Sequence, residues 1–226
     1  MNSDLILHQY ELGMMQNFVY LIGSQSKREA VLVDPAWDID SLLEELDRQE
    51  LKLTHVLVTH YHPDHIGGSM MGMRLPGIAE LLNKRGVKVV ANKHEAPWIQ
   101  RVTGVGGSDL QLVEGGDVLT LGEVEIKFLH TPGHTPGSQC FLVSDQLVSG
   151  DTLFLNGCGR TDFPGGDAGQ LYDSLTQVLM KLPDGTTLLP GHNYSGSSSS
   201  MGEVKRSNYA LKMKSRLDFL RLQGAE

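Results

Sequence analysis

Residues 59–65 read Thr-His-Tyr-His-Pro-Asp-His, and no other stretch constrains this chain as sharply. Three histidines and one aspartate fall within six positions, directly after the apolar run Val56-Leu57-Val58. That run reads as a buried strand, so a strand end delivers four potential metal ligands. Pro63 disfavours a helical conformation at His62, and side chains two apart in an extended segment point the same way. His60, His62 and Asp64 are therefore expected to converge on one site. Gly67-Gly68 then lets the backbone turn away. A single histidine is usually a surface or satisfied core residue, a reading that does not account for four ligand-type side chains at one strand end.

Further candidates stand after later strands. His134 lies in Thr131-Pro132-Gly133-His134, Asp151 follows Val148-Ser149-Gly150, and His192 follows Leu189-Pro190-Gly191. Strand ends followed by Gly or Pro loops project ligands from a rigid scaffold into one cleft. His60, His62 and His134 suit one metal, Asp64, His65 and His192 a second, and Asp151 can bridge both through its two oxygens. Such His/carboxylate sites suit Zn and admit Fe or Mn. Two cations sharing a water would lower its pKa and present hydroxide to a polarised carbonyl, which is hydrolytic chemistry without a side-chain nucleophile. His8, His55, His94 and His130 lack the strand-end clustering and read as structural or surface residues, with His130 close enough to the His134 loop to support it. Cys158 reads as a buried inert thiol, with a cleft-facing position as the alternative.

The remainder of the sequence sets the frame. Its 226 residues suit one sizeable domain, here taken as 1–226, that buries a core without disulfides. With 19 basic against 27 acidic residues the net charge is -8, which argues against a nucleic-acid partner. Only Cys140 and Cys158 occur, so a reducing compartment is the simplest setting. Met1 to Met15 does not read as a secretory signal and no run is long enough to span a bilayer, making cytoplasmic the default with no membrane partner. Leu5 to Leu7, Phe18 to Ile22 and Ala30 to Val33 predict an opening antiparallel meander closed by Asp34-Pro35. Asp38 to Gln49 carries Ile39, Leu42, Leu43 and Leu46 at helical spacing. A strand over His55 to Val58, helices over Ile78 to Lys84 and Glu95 to Val102, and a strand over Val87 to Val90 follow. Met70, Met71 and Met73 read as irregular core filling rather than the border of a substrate cleft. Gly104 to Gly107 reads as a loop without the lysine of a phosphate-binding loop. A second meander is expected over Val118 to Val148, then a helix through Leu171 and Leu179, a strand over Thr186 to Leu189 and a terminal helix over 203–222.

Together, the motifs Thr59 to His65, Thr131 to His134, Ser149-Gly-Asp-Thr-Leu-Phe154 and Pro190-Gly-His192 resemble the metallo-β-lactamase superfamily. The resemblance spans nearly the whole chain and includes all seven ligand positions. It implies an α/β (α+β) fold, a four-layer αββα sandwich of two mixed sheets with helices on the outer faces and the metal site at one edge. True β-lactamases usually carry a cysteine where this chain has Asp151, and fold alone does not fix substrate.

Asp151 to Asp167, running Asp-Thr-Leu-Phe-Leu-Asn-Gly-Cys-Gly-Arg-Thr-Asp-Phe-Pro-Gly-Gly-Asp, is similar to the glyoxalase II and persulfide dioxygenase branch. Both types act on small thiol derivatives of the glutathione kind. The glyoxalase II resemblance implies thioester hydrolysis of S-2-hydroxyacylglutathione by a metal-bridging hydroxide, with two divalent ions and Asp64 also handling a proton. The dioxygenase resemblance implies a single Fe(II) held by His60, His134 and Asp151, oxidising a persulfide to sulfite with O2. Pro164-Gly165-Gly166-Asp167 and Pro190-Gly191-His192 look more like small bacterial glyoxalase II enzymes, which favours the hydrolase. Tyr194 matches a tyrosine of glutathione-handling relatives, and Arg160 or Arg206 would pair with a substrate carboxylate. Relatives often have Asn-Pro where this chain has Asn208-Tyr209. A non-catalytic, metal-stabilised scaffold is the third class, disfavoured because structural sites are usually closed and need fewer ligands. Oligomeric state has no signature in the sequence.

Overall fold

The computed structural model describes residues 3–225, so Met1, Asn2 and Glu226 of the expected domain lie outside the described residues. The chain opens with β1 (Leu5–Leu12), β2 (Asn17–Ser24) and β3 (Glu29–Val33), an antiparallel meander in which Tyr20 pairs with Val33 and Tyr10 with Val19. α1 (Ile39–Arg48) leads to β4 (Lys52–Leu57), α2 (Pro63–Ile66), the hairpin of β5 (Gly68–Met70) and β6 (Met73–Leu75), α3 (Ile78–Lys84) and β7 (Lys88–Asn92). α4 (Ala96–Thr103), β8 (Leu110–Val113), β9 (Val118–Leu121), β10 (Val124–His130), β11 (Gln139–Val143) and β12 (Gln146–Gly150) follow. The chain ends with α5 (Ala168–Asp173), β13 (Thr187–Pro190), β14 (Ser199–Ser200), α6 (Met201–Ser207) and α7 (Arg216–Leu222).

Two six-stranded mixed sheets result, in the orders β1-β2-β3-β4-β7-β8 and β14-β13-β12-β11-β10-β9. Their side chains explain the layering. Along β2, Val19 and Leu21 face the helices while Phe18, Tyr20 and Ile22 face the other sheet, so every residue of this strand is buried. A strand covered on both faces reads as a continuous apolar run because the period-2 alternation has no wet side. One core lies between the first sheet and α1, α3 and α4, a second between the sheets, and a third between the second sheet and α5, α6 and α7. This is the αββα sandwich that the resemblance implies. Among the described residues no helix is long and apolar enough to cross a membrane.

Local chemistry fixes the elements. α1 begins where the Asp38 side chain accepts a hydrogen bond from Ser41 N at 3.1 Å, and it buries Ile39, Leu42, Leu43 and Leu46 on one face. α4 stops at Gly104, whose φ of 77° is the left-handed conformation of a helix C-cap.

Three expectations need correction. The terminal helix over 203–222 is two helices: α6 ends at Asn208, which turns extended while its side-chain oxygen accepts from Ala210 N. An amide side chain that can bond its own backbone competes with helix continuation. The helix expected through Leu171 and Leu179 is α-helical only to Asp173 and continues as a π turn (Ser174–Val178) and a 3-10 turn (Leu179–Lys181). The methionines are not core filling either: Met71 is 90% exposed and Met73 43%, both on the β5–β6 hairpin, which is too short to cover them.

Candidate metal centre

Every candidate ligand leaves the C-terminal end of a strand. His60 and His62 follow β4, His134 follows β10, Asp151 follows β12 and His192 follows β13. Parallel pairing of β12 with β13 and of β3 with β4 carries neighbouring strand ends to the same edge of the two sheets. Asp64 and His65 arrive differently from the extended run expected. His62 is extended (φ -64°, ψ 142°), but Pro63 takes the first position of α2 and the chain becomes helical through Asp64 and His65. Proline is at home there, because its missing N–H is one that a helix N-terminus leaves unpaired. The helical turn separates Asp64 from His60 and His62 and groups it with His65.

Two nests result. The ligand atoms of His60, His62 and His134 lie within 4.8 Å of one another, and so do those of Asp64, His65 and His192. In the first, His134 Nε2 is 3.0 Å from His62 Nδ1, and His60 Nε2 has no hydrogen-bond partner although it is buried. In the second, His65 Nε2 lies 3.1 Å from His192 Nε2, and Asp64 Oδ2 is 3.5 and 3.4 Å from the two. The His60 and His65 ring centroids stand 4.2 Å apart, so the nests adjoin. Asp151 lies between them. Its Oδ1 is 3.3 Å from His65 Nε2 without hydrogen-bond geometry, and its Oδ2 is 3.4 Å from His192 Nε2 and 3.7 Å from His134 Nε2.

The outer ring nitrogens are held as metal ligands require. His65 Nδ1 is 3.0 Å from Asp34 Oδ2, His134 Nδ1 2.6 Å from the Arg160 carbonyl and His192 Nδ1 2.9 Å from the Met15 carbonyl. His60 Nδ1 is 2.9 Å from Thr59 Oγ1, whose own proton goes to Asp34 Oδ2, so the hydroxyl accepts from His60. Each of these contacts engages Nδ1 and turns Nε2 inward.

The electrostatics match. Burial, then the neighbouring histidines, keep His60 well below its usual pKa; burial with His134 drives His62 down to about 3, and burial lowers His134. The first nest is therefore neutral at pH 7, and its His60 Nε2 and His62 Nε2 have no hydrogen-bond partner. Burial also opposes charge on His65, but the Asp151 and Asp64 carboxylates outweigh it and hold its pKa well above the ordinary value. Burial would raise Asp151, and the His65 and His192 imidazoles reverse this and keep it well below the usual carboxylate range. Buried, unpartnered His nitrogens beside anionic carboxylates form a metal-binding cluster.

The other expected residues divide. Tyr194 stacks on His192 (centroids 4.5 Å apart, planes 10° apart) and is half exposed, at the mouth of the second nest. Arg160 contributes its carbonyl to His134, while its guanidinium pairs with Asp162 and lies 4.9 Å over the Phe163 ring, itself edge-on to His62 at 5.0 Å. Arg206 is not brought to the cluster. It pairs with Glu203 and lies beside Gly202 and Asp184, near the start of β13, the end opposite His192. Side chains on a helix lean toward its N-terminus, and α6 starts at that far end. Cys158 is buried in the third core, where burial pushes its thiol up to about 12. His130 contacts the Pro136 carbonyl and stacks on His94.

Asp34 and Glu95 are among the supporting residues that the sequence motifs did not identify. Asp34 joins both nests through Thr59 and His65; its signal was the strand-end position it shares with the ligands. Glu95 is buried and accepts from Tyr61 N (2.7 Å), Thr135 Oγ1 (2.7 Å) and Gly137 N (2.6 Å), tying the His60–His62 segment to the His134 loop. Burial pushes its carboxyl up to about 7. A Cβ on Gly137 would lie 2.4 Å from Glu95 N, so this approach needs glycine.

Comparison with known proteins agrees with this geometry. A family model described as the metallo-beta-lactamase superfamily matches residues 12–192. The human mitochondrial persulfide dioxygenase ETHE1 is 33% identical over 212 residues, 91% of this chain and 75% of that protein. A probable hydroxyacylglutathione hydrolase of Schizosaccharomyces pombe is 34% identical over 212 residues, 88% of this chain and 73% of that protein. The crystal structure of ETHE1 from Myxococcus xanthus superposes with a TM-score of 0.81 at 37% identity, covering 97% of this chain and 90% of that one.

Proposed function

The chain belongs to the metallo-beta-lactamase superfamily, and from that premise we propose that it is a dinuclear metal-dependent hydrolase cleaving the thioester of a small thiol, of the S-2-hydroxyacylglutathione type. The observation that carries this reading is the pairing of two three-ligand nests about one shared carboxylate, Asp151. His60, His62 and His134 would hold one divalent ion, Asp64, His65 and His192 the other, with Asp151 common to both; Zn fits, as do Fe and Mn. Such ions supply Lewis acidity toward the acyl carbonyl and a lowered pKa for a nearby water. Hydrolysis breaks the acyl C–S bond and gives a carboxylate and a thiol. Asp64 is the residue we assign to proton handling at its carboxylate. Tyr194 offers an aromatic face beside His192, and Arg160 a cation near Phe163, to a carboxylate-bearing thiol. The partner is thus a small molecule, and the free thiols Cys140 and Cys158 support a reducing, cytoplasmic setting.

A second reading is a mononuclear Fe(II) persulfide dioxygenase using His60, His134 and Asp151. The unpartnered His60 Nε2 and the 33% identity to human persulfide dioxygenase support it. The two readings part in one assay panel: metal-loaded protein is offered S-lactoylglutathione and, separately, glutathione persulfide under an oxygen electrode. Thioester cleavage without persulfide-dependent O2 uptake is the expected outcome. O2 uptake without thioester cleavage would replace the hydrolase by the dioxygenase.

A further inference from the structure

The nests differ in how their ligand atoms are held. In the second, Asp64 Oδ2 accepts a hydrogen bond from Asn17 Nδ2 at 2.9 Å, and the same nitrogen lies 3.3 Å from His65 Nε2. Among the described residues no other group outside the nest donates to the Asp64 carboxylate. Asn17 is buried at the start of β2, where its backbone bridges to His192. Its amide has a fixed orientation. Trp37 Nε1 donates to Asn17 Oδ1 at 3.0 Å and to the Asp64 carbonyl at 2.9 Å. An indole N–H can only donate, so the amide oxygen must face Trp37 and the NH2 must face Asp64. Trp37 itself sits at φ 73°, a left-handed conformation that a bulky residue adopts only when its surroundings enforce it. Its ring packs so closely on Gly13 that a Cβ there would lie 2.1 Å from Trp37 Cδ2.

We propose that Asn17, oriented by Trp37, is a positioning residue for the second nest: it aims Asp64 Oδ2 at His65 and His192, and so sets how tightly that nest, but not the first, retains a cation. The inference rests on the dinuclear reading. Asp64 is buried on a four-residue helix, and a carboxylate that the Asn17 amide already holds in one rotamer loses less entropy on binding metal. A carboxylate oxygen has lone pairs for both the amide hydrogen and a cation, so the two contacts are compatible. The first nest has no contact with Asn17 and is oriented through Thr59 and the Arg160 carbonyl instead.

The test is metal affinity rather than turnover. Metal-stripped protein is titrated with Zn(II) against a chromophoric chelator that resolves successive equivalents, for the unmodified chain, Asn17→Ala and Trp37→Phe. Trp37→Phe keeps an aromatic ring, though a smaller one, and removes the N–H, freeing the amide to flip its oxygen toward Asp64. The unmodified chain should take up two equivalents. Both variants should keep the first step and weaken the second by about 10- to 100-fold, the range for residues that orient metal ligands. A second step that is unchanged or tighter in both variants overturns the proposal, as does equal weakening of both steps, which would mark a general structural role. A single equivalent in the unmodified chain would instead overturn the dinuclear reading itself. The unchanged first step doubles as the check that each variant is folded.

Discussion

Asp151 touches both nests, its Oδ1 near His65 and its Oδ2 near His134 and His192. Asp151→Ala should therefore cost both cations and lower turnover by more than about 100-fold, beyond what loss of a merely supporting residue does. Metal analysis together with an activity assay checks this; full activity with both metals retained would remove Asp151 from the site. His62 gives a pH dependence. Its pKa falls from 6.5 to about 3 on folding. Between those values the unfolded chain binds more protons than the folded one, so this group's stabilisation is complete above pH 6.5 and disappears as pH falls through about 3. The metal-free protein should lose stability over that acid range, and His62→Ala should flatten the profile in urea titrations; an unaltered slope would contradict the assignment. The convergence of the candidate ligands was legible in the sequence because each stands in a short local motif. Glu95, Asn17 and Trp37 were not, because they act through partners 34 or more and 20 or more positions away, as with Tyr61 and Asn17. Arg206 failed for a related reason: sequence supplies a cation near the last ligand, but the course of α6 decides which end of the strand it reaches.

At the scale of elements, short segments decide where ligands point. α2 is four residues long, yet its turn sorts one ligand string into two nests. The break between α6 and α7 has a comparable consequence. Asn208 is fully buried and its Nδ2 donates to the Phe154 and Gly157 carbonyls, both at 2.9 Å, pinning the loop that follows Asp151. Phe154 on that loop is edge-on to His192 at 6.0 Å. Asn208→Ala would take this donor from the Phe154 carbonyl and from the Gly157 carbonyl, which keeps only the Phe154 N–H, at a cost of about 1–3 kcal/mol. Urea unfolding of the metal-loaded protein should show that loss, and an unchanged midpoint would mean that Asn208 is not the staple. The strands and α1 were readable from apolar period and the Asp38 cap. The broken terminal helix was not, because the Nδ2 contacts that hold Asn208 in place where α6 ends span more than 50 residues of sequence.

At the scale of the molecule, the sandwich is a means of bringing strand ends together. The central strands of each sheet are covered on both faces, and although β10 keeps Glu125 and Lys127 exposed, the ends of β4, β10, β12 and β13 are anchored in the cores while the loops beyond them carry the chemistry. The layering followed from the family resemblance rather than from periodicity, since fully buried strands such as β2 show no alternation to read. Fold membership leaves hydrolase and dioxygenase chemistry both within reach of the same ligands. The dinuclear reading is that this scaffold holds two cations and hydrolyses a thioester. Its most direct test is to count Fe, Zn and Mn per chain in protein purified without added metal, and to assay that same sample for thioester cleavage and for persulfide-dependent O2 uptake. Close to two metals per chain with thioester cleavage is the expected result. One Fe per chain with O2 uptake and no thioester cleavage would replace the hydrolase by the dioxygenase.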